Sequence, residues 1–119
     1  MNVLVVEDTP DVALTFAALI RAYGHRTQVA YSGESALGIA REFCPQTTFI
    51  DIGLPGMGGY ELAARLRSVE GLENSYLVTV SGQDPDSDRL QRAGINFHLK
   101  KPVTIDALIG ILGDDQSVR

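Results

Sequence analysis

Five side chains that could do chemistry stand directly after short apolar runs of this sequence: three carboxylates, one hydroxyl and one ammonium. They are Glu7, Asp8, Asp51, Ser81 and Lys101. A short apolar run bounded by turn residues is typical of a buried strand. In an open parallel sheet, the carboxyl ends of the strands lie along one edge, and ligands bind there. We therefore expect these five side chains, which follow four strands, to meet in one site.

The residue types at this edge indicate phosphoryl chemistry. Three carboxylates held close together repel one another, so they either raise a pKa or bind a divalent cation. A small set of oxygen ligands, with room for water and a phosphoryl group, suits Mg²⁺ or Mn²⁺ better than zinc. A carboxylate can also attack phosphorus and form an aspartyl phosphate. The Lys101 ammonium and the Ser81 hydroxyl could then neutralise and orient the phosphoryl oxygens.

Each of these residues also has a purely structural explanation when it is considered alone. Glu7 and Asp8 could favour the N-terminus of the helix that follows them. Asp51 and Ser81 could open turns, and Lys101 could be a solvated surface charge. Independent turn chemistry does not account for four strand ends that each carry a charged or reactive group. The sequence therefore predicts a site that accepts a phosphoryl group.

Composition excludes several other classes of protein. The chain has 119 residues, of which 45% are hydrophobic and 21% charged, which is typical of one globular domain. A net charge of −5 argues against non-specific binding to nucleic acid or an anionic membrane. The single cysteine fits a reducing compartment, and no apolar run suits a signal peptide or a membrane span. We expect a cytoplasmic single domain, 1–119, with a core of about 2–112 and a frayed tail 113–119.

Apolar runs alternate with segments of helical period five times along the chain. The runs predict strands at residues 2–6, 26–30, 47–51, 76–80 and 96–100. A helix is predicted after each strand, and Thr9, Ser32 and Thr104 are the predicted N-caps of the first, second and fifth helices. The fourth helix is predicted near residues 84–93, and the fifth through about Leu112. Five βα units with right-handed crossovers favour an α/β fold with an open, doubly wound parallel sheet.

Apolar residues at helical spacing predict the buried face of the first helix. They are Val12, Phe16, Leu19, Ile20 and Tyr23. Cys44, at the end of the second amphipathic helix, is expected to be a small buried residue. His25 is expected to lie in a surface loop.

Four segments in order resemble the receiver domain of two-component response regulators. They are residues 3–8, 49–61, 80–82 and 101–102. The resemblance covers about residues 2–112 and implies a flavodoxin-like (βα)5 fold with strand order 2-1-3-4-5. It implies a signalling switch in a phosphorelay, not an enzyme. Such a domain takes a phosphoryl group from a histidine kinase or a histidine phosphotransfer protein, and it signals to a downstream protein, unknown here, by protein–protein contact.

The resemblance also implies a role for each acidic residue. Asp51 corresponds to the phosphoacceptor. Asp8 and Asp51 would bind Mg²⁺ directly, helped by the backbone carbonyl of Gly53, while Glu7 would act largely through a metal-bound water. These roles come from the positions of the residues in the family motifs.

The remaining site residues correspond to the family's phosphoryl-binding and switch positions. Ser81 would move its hydroxyl onto the phosphoryl group, and Lys101 would form an ion pair with that group. Pro102 is similar to the family proline that often follows a cis bond. The family usually has Tyr or Phe three residues before the lysine, and this chain has His98 there. His98 is either a histidine version of the switch residue or a simple polar residue at the edge of the sheet.

Other functions would require different residues in the sequence. A constitutive receiver-like module that is never phosphorylated predicts loss of the acceptor, an acidic residue or the lysine, and none is missing. A small Mg²⁺-dependent phosphatase would need a second carboxylate two residues after its nucleophile, where this chain has Gly53. A stand-alone regulator and the receiver of a hybrid kinase both fit the motifs. The charged residues of the fourth helix fit a weak homodimer and a solvated surface equally well.

Overall fold

A computed structural model of the chain describes residues 1–113, and strands and helices alternate along them. The strands are β1 (Asn2–Val6), β2 (Arg26–Ala30), β3 (Thr47–Asp51), β4 (Tyr76–Ser81) and β5 (Phe97–Lys100). The helices are α1 (Pro10–Ala22), α2 (Gly33–Phe43), α3 (Gly59–Arg67), α4 (Ser87–Arg92) and α5 (Ile105–Leu112). Apart from Gly113, the predicted tail 113–119 lies outside the described residues.

The strands form one parallel sheet in the order β2-β1-β3-β4-β5. This confirms the predicted α/β fold and its strand order. The order reverses between β1 and β3, so a crevice opens beyond their carboxyl ends. Val6 is paired with Ile50, and Asp51 with Val80. This register brings the residues that follow β1, β3 and β4 to the same edge.

Helices cover both faces of the sheet and enclose two apolar clusters. Alternate residues of each strand point to opposite faces, so Leu4 and Val6 lie in one cluster while Val3 and Val5 lie in the other. On the second face, Phe16 of α1 packs edge to face on Phe49 of β3, with ring centroids 5.2 Å apart. Near-complete burial of both clusters gives the strand ends a rigid base.

Two of the three predicted N-caps form, and one does not. Ser32 Oγ accepts a hydrogen bond from the Ser35 N–H at 3.1 Å, and Thr104 Oγ1 accepts one from the Ala107 N–H at 3.1 Å. The Thr9 side chain makes no cap hydrogen bond. Its backbone N–H donates instead to Glu7 Oε2 at 3.0 Å, so the predicted cap residue holds a site carboxylate.

The predicted buried face of α1 is confirmed except at Val12, since Ile20 is fully buried and Phe16 and Leu19 pack on the second cluster. Val12 is 47% exposed, and the fully buried residues are Ala13, Ala17 and Ile20. Ala13 and Ala17 are neighbours of Phe16 and Ile20 on the helix surface, so the buried face includes two alanines that were not predicted and leaves Val12 outside it. The small alanine side chains let the helix lie close against the sheet. A prediction based on large apolar residues does not identify them as part of the buried face.

Two other predictions of burial are wrong. Cys44 is exposed, because it is the C-cap of α2 in a left-handed conformation with φ of 51°. His25 is only 3% exposed, because its ring lies between the two ends of the described chain. Its Nδ1 is 3.3 Å from the N-terminal amine, and its Nε2 is 3.4 Å from the carbonyl of Gly113.

The fourth helix is shorter than predicted. It begins at Ser87, because the Asp86 side chain accepts hydrogen bonds from the backbone N–H groups of Asp88 and Arg89 at 3.1 and 3.2 Å. No helix among residues 1–113 is long and apolar enough to cross a bilayer.

Candidate functional site

Three carboxylates converge where β1 and β3 end. Glu7, Asp8 and Asp51 each offer an oxygen within 4.8 Å of the other two. Glu7 is buried, Asp51 is half-buried and Asp8 is exposed, so the cluster runs from the sheet edge out to solvent. Among residues 1–113, this is the one group of three or more acidic, histidine or cysteine residues with ligand atoms so close together.

Lys101 places an ammonium group beside two of these carboxylates. Its Nζ lies 3.6 Å from Glu7 Oε1 and 3.9 Å from Asp51 Oδ1. The backbone N–H of Lys101 donates to the Ser81 carbonyl at 2.8 Å, and the peptide bond to Pro102 is cis. The preceding Lys100 points elsewhere and pairs with Asp84 at 3.1 Å. Lys100 and Lys101 therefore form ion pairs in different regions of the molecule.

Burial raises the pKa of Glu7 above its ordinary value of 4.5. The N–H of Thr9 donates to the Glu7 carboxylate and opposes the rise, while the negative charge of Asp51 adds to it. The Lys101 ammonium again opposes it. Three carboxylates near one ammonium are short of positive charge when all of them are ionised.

The loop after β3 fixes the Asp51 carboxylate and the start of α3. The N–H of Gly53 donates to Asp51 Oδ1 at 3.1 Å, and the N–H of Ile52 donates to the Val80 carbonyl at 3.0 Å. A Cβ at Gly59 would lie 2.8 Å from the Ile52 Cα and 2.9 Å from the Asp51 carbonyl oxygen. Only glycine allows the first residue of α3 to pack this closely on the Asp51 backbone.

Ser81 lies at the end of β4, next to this cluster. Its hydroxyl donates to the Gln83 carbonyl at 2.7 Å and accepts a hydrogen bond from the Gln83 N–H at 3.2 Å. His98 Nε2 lies 3.4 Å from the same hydroxyl oxygen. The hydroxyl is therefore held within its own loop, on the side of the histidine.

His98 is anchored to the sheet by Thr79, a residue that the sequence analysis missed. Nδ1 of the imidazole lies 2.8 Å from Thr79 Oγ1. Thr79 is fully buried and pairs directly with His98 across β4 and β5. Phe97 points to the other side and is 46% exposed. The sequence contained one signal for this role. Thr79 is a polar residue within an apolar run, and it lies two residues before Ser81, so both side chains point to the same face of the strand.

The acidic cluster fits a divalent cation of the magnesium type. Its donors are carboxylate oxygens from Glu7, Asp8 and Asp51, which are the ligand class that Mg²⁺ and Mn²⁺ prefer. The exposed Asp8 side leaves room for water in the coordination shell. Burial is the main cause of the raised pKa of Glu7, and a bound divalent charge would offset the repulsion from Asp51 that adds to it.

An apolar groove of about 730 Å³ opens beside the carboxylates. Val12 and Phe16 of α1 form one wall, and Pro102 and Val103 form another. Glu7, Asp51 and Lys101 also line it. A partner that reaches Asp51 from this side meets an apolar surface next to a charged one.

Comparison with known proteins gives a family match for almost the whole described chain. The model of the response regulator receiver domain matches residues 3–112. The polar-differentiation response regulator DivK of Brucella ovis is 31% identical over 110 residues, covering 91% of this chain and 89% of DivK. The virulence sensor protein BvgS of Bordetella pertussis is 33% identical over 115 residues, covering 91% of this chain. This chain spans only 9% of the length of BvgS.

A similar structure is the receiver domain of the sensor histidine kinase PA1611 from Pseudomonas aeruginosa. It is 26% identical to this chain and has a TM-score of 0.84, with 93% of each chain covered. That structure contains a magnesium ion coordinated in its active-site cleft.

Proposed function

This chain belongs to the response regulator receiver domain family, and from that premise we propose that it is a phosphoacceptor switch of a two-component system. Receiver domains are signalling switches and not enzymes in the ordinary sense. The observation that carries the proposal is the convergence of Glu7, Asp8 and Asp51 within 4.8 Å, with the Lys101 ammonium beside them. Asp51 is the proposed acceptor, because it occupies the acceptor position of the family motif and its half-buried carboxylate lies at the end of β3, 3.9 Å from the Lys101 ammonium.

The carboxylates of Glu7, Asp8 and Asp51 would hold Mg²⁺ or Mn²⁺, together with the carbonyl of Gly53. When bound, the ion would supply positive charge to the phosphoryl oxygens. The magnesium ion in the PA1611 receiver supports this assignment, since that domain is similar to this chain over most of its length.

The transfer step exchanges one bond to phosphorus for another. An Asp51 carboxylate oxygen attacks the phosphorus of a phosphohistidine, the P–O bond forms, the P–N bond breaks and the imidazole leaves. Oδ1 of Asp51 accepts the Gly53 N–H and faces Lys101, which orients the carboxylate for attack by its other oxygen. The Lys101 ammonium offsets the negative charge that the phosphoryl group brings.

Ser81 and His98 would convert phosphorylation into a change of surface. The Ser81 hydroxyl is held by Gln83 and lies 3.4 Å from His98 Nε2. If the hydroxyl turns to the phosphoryl group, the histidine loses that neighbour and keeps only its contact with Thr79. His98 would then act as the switch residue, and the surface formed by α4 and β5 would change for a downstream protein partner.

The phosphodonor would be a histidine kinase or a histidine phosphotransfer protein. Such a donor must bring its histidine to Asp51, and the apolar groove beside Asp51 offers a contact surface at that point.

DivK is described as a response regulator and BvgS as a sensor protein. A regulator of DivK type and a receiver within a longer sensor therefore both fit this chain. The single cysteine supports a reducing, cytoplasmic location.

Phosphoryl uptake from a small-molecule donor tests this proposal without a cognate kinase. The chain is incubated with acetyl phosphate in the presence and absence of Mg²⁺, and its intact mass is measured. We expect a gain of one phosphoryl group that requires the metal. The alternative, a constitutive receiver-like interaction module, predicts no gain from a correctly folded chain.

A further inference from the structure

The fourth helix is held mainly at its two ends. α4 has six residues, and none of them is buried, unlike the other helices of the described chain. Isolated helices shorter than about 12 residues are marginal in water, so tertiary contacts must hold a helix of this length. Two side chains of α3 contact this region: Tyr60 contacts the N-terminal end of α4, and Arg67 contacts the segment that follows its C-terminal end.

Tyr60 contacts the N-terminal end of α4 in two ways. Its hydroxyl oxygen accepts a hydrogen bond from the N–H of Asp86, the N-cap residue, at 3.2 Å. Its ring lies under the guanidinium group of Arg89, whose Cζ is 4.1 Å from the ring centroid. A hydrogen bond and a cation–π contact thus meet on one half-buried side chain.

Arg67 holds the segment that follows the C-terminal end of α4. Its Nε and Nη2 donate to the Gly94 carbonyl at 3.0 and 2.7 Å, and Nη2 also donates to Asn96 Oδ1 at 2.7 Å. Its Nη1 donates to backbone carbonyls of the α3–β4 loop, including that of Ser75. A Cβ at Gly94, where φ is +74°, would lie 2.9 Å from Arg67 Nε. A larger residue at position 94 would therefore displace the Arg67 side chain.

The spacing of the two residues matches the length of α4. Positions 60 and 67 are seven residues apart, so they share one face of α3 and are separated by about 10 Å along its axis. A helix of six residues is about 9 Å long. One face of α3 therefore contacts both the N-terminal end of α4 and the segment just after its C-terminal end.

The face of α3 that carries Tyr60 and Arg67 begins next to Asp51 and the loop that follows it. Tyr60 directly follows Gly59, whose Cα packs against the backbone of Asp51 and Ile52. The N–H of Gly59 also donates to the Ile52 carbonyl at 3.3 Å. A shift of the Asp51 backbone must therefore move Gly59, and the next side chain along the helix is the one that contacts α4.

We propose that Tyr60 is a positioning residue that transmits phosphorylation of Asp51 to the N-terminal end of α4, while Arg67 anchors the other end. The inference rests on the proposed phosphorylation of Asp51. Arg67 makes many hydrogen bonds to fixed backbone, whereas Tyr60 holds α4 by one hydrogen bond and one stacking contact. The N-terminal end is therefore the end that is released.

Amide hydrogen exchange of the full chain, with and without acetyl phosphate and Mg²⁺, tests this assignment. The variants are Tyr60→Leu, Tyr60→Phe and Arg67→Lys, and Tyr76→Leu is the matched control at an exposed tyrosine on β4. Intact mass is measured on each sample, so that phosphoryl uptake is known independently of exchange. Tyr60→Phe keeps the ring and serves as the conservative variant.

In wild type, we expect phosphorylation to raise exchange across residues 84–90 by about tenfold, with little change at 93–96. Tyr60→Leu is expected to show the raised exchange already without phosphorylation and to lose the phosphorylation-dependent difference, and Tyr60→Phe to show part of this effect. Arg67→Lys is expected to raise exchange at 72–75 and 93–96 in both states, and Tyr76→Leu to respond as wild type does.

A normal phosphorylation-dependent change in Tyr60→Leu that has taken up its phosphoryl group would overturn the inference while leaving the proposed function intact. So would a wild-type chain that is phosphorylated without any change at 84–90. A response of 84–90 to Arg67→Lys as strong as that to Tyr60→Leu would overturn the division of roles. Failure of the wild type to gain a phosphoryl group would overturn the proposed function itself.

Discussion

Nδ1 of His98 lies 2.8 Å from Oγ1 of Thr79, inside the pairing of β4 with β5. Thr79 is fully buried, so its hydroxyl forms a fixed point in the sheet. The other ring nitrogen lies 3.4 Å from Oγ of Ser81. The imidazole thus connects the interior of the sheet to the hydroxyl that we propose binds the phosphoryl group.

Removal of the Thr79 hydroxyl should cost stability through His98. Thr79→Val leaves a ring nitrogen without its buried partner, and we expect the free energy of unfolding to fall by about 1–2 kcal/mol. A double-mutant cycle with His98→Leu, measured by urea denaturation, isolates the pair. We expect a coupling energy of about 1 kcal/mol, whereas effects that add within about 0.3 kcal/mol would show that the two side chains do not interact.

The raised pKa of Glu7 should make the metal-free protein less stable as pH rises. Its ordinary value is 4.5, and burial holds the folded value above that. Between the two values the folded state binds more protons than the unfolded state, so the free energy of unfolding falls with increasing pH. Below pH 4.5 the carboxyl is protonated in both states, and the penalty disappears. Denaturant unfolding between pH 4 and 7, in the presence of EDTA, measures this slope.

Glu7→Gln should remove that part of the slope, because the amide does not ionise. Its oxygen can still accept the Thr9 N–H. The variant is expected to gain stability relative to wild type as pH rises above 4.5, and added Mg²⁺ should flatten the wild-type curve. Glu42→Gln, at an exposed position on α2, is the control. Parallel curves for wild type and Glu7→Gln would contradict this explanation of the Glu7 environment.

Lys101 and Lys100 should respond differently to the same substitution. Lys101 faces Glu7 and Asp51, whereas Lys100 pairs with Asp84. Lys101→Ala is expected to bind Mg²⁺ at least as tightly as wild type, because a competing cation is removed, but to lose most of the conformational response to phosphorylation. Lys100→Ala should retain both properties. Calorimetric titration with Mg²⁺ and hydrogen exchange measure them, and an unchanged response in Lys101→Ala would make it a surface charge.

Local sequence signals predicted the features that depend on neighbouring residues. Ser32 and Thr104 act as caps because the hydroxyl and the N–H it accepts are three residues apart. The strand ends could be placed on one edge because alternating strands and helices force parallel strands. The proximity of Glu7, Asp8 and Asp51 follows from that edge, although their roles remain predictions.

The errors and omissions arise where distant segments or the backbone conformation at a helix end decide the outcome. His25 is buried because the N-terminal amine and the Gly113 carbonyl contact its ring, and neither is near it in the sequence. Cys44 is exposed because it ends α2 in a left-handed conformation. The pairing of Thr79 with His98 depends on the register of β4 against β5, which one sequence does not specify.

The measurement that tests the central claim most directly is the intact mass of the chain after incubation with acetyl phosphate and Mg²⁺, compared with Asp51→Asn. Asp11→Asn, an exposed acidic position beside the same groove, controls for the loss of one negative charge. We expect wild type and Asp11→Asn to gain one phosphoryl group in a metal-dependent manner, and Asp51→Asn to gain none while remaining folded. Full uptake by Asp51→Asn, or no uptake by folded wild type, would contradict the assignment of Asp51 as the phosphoacceptor.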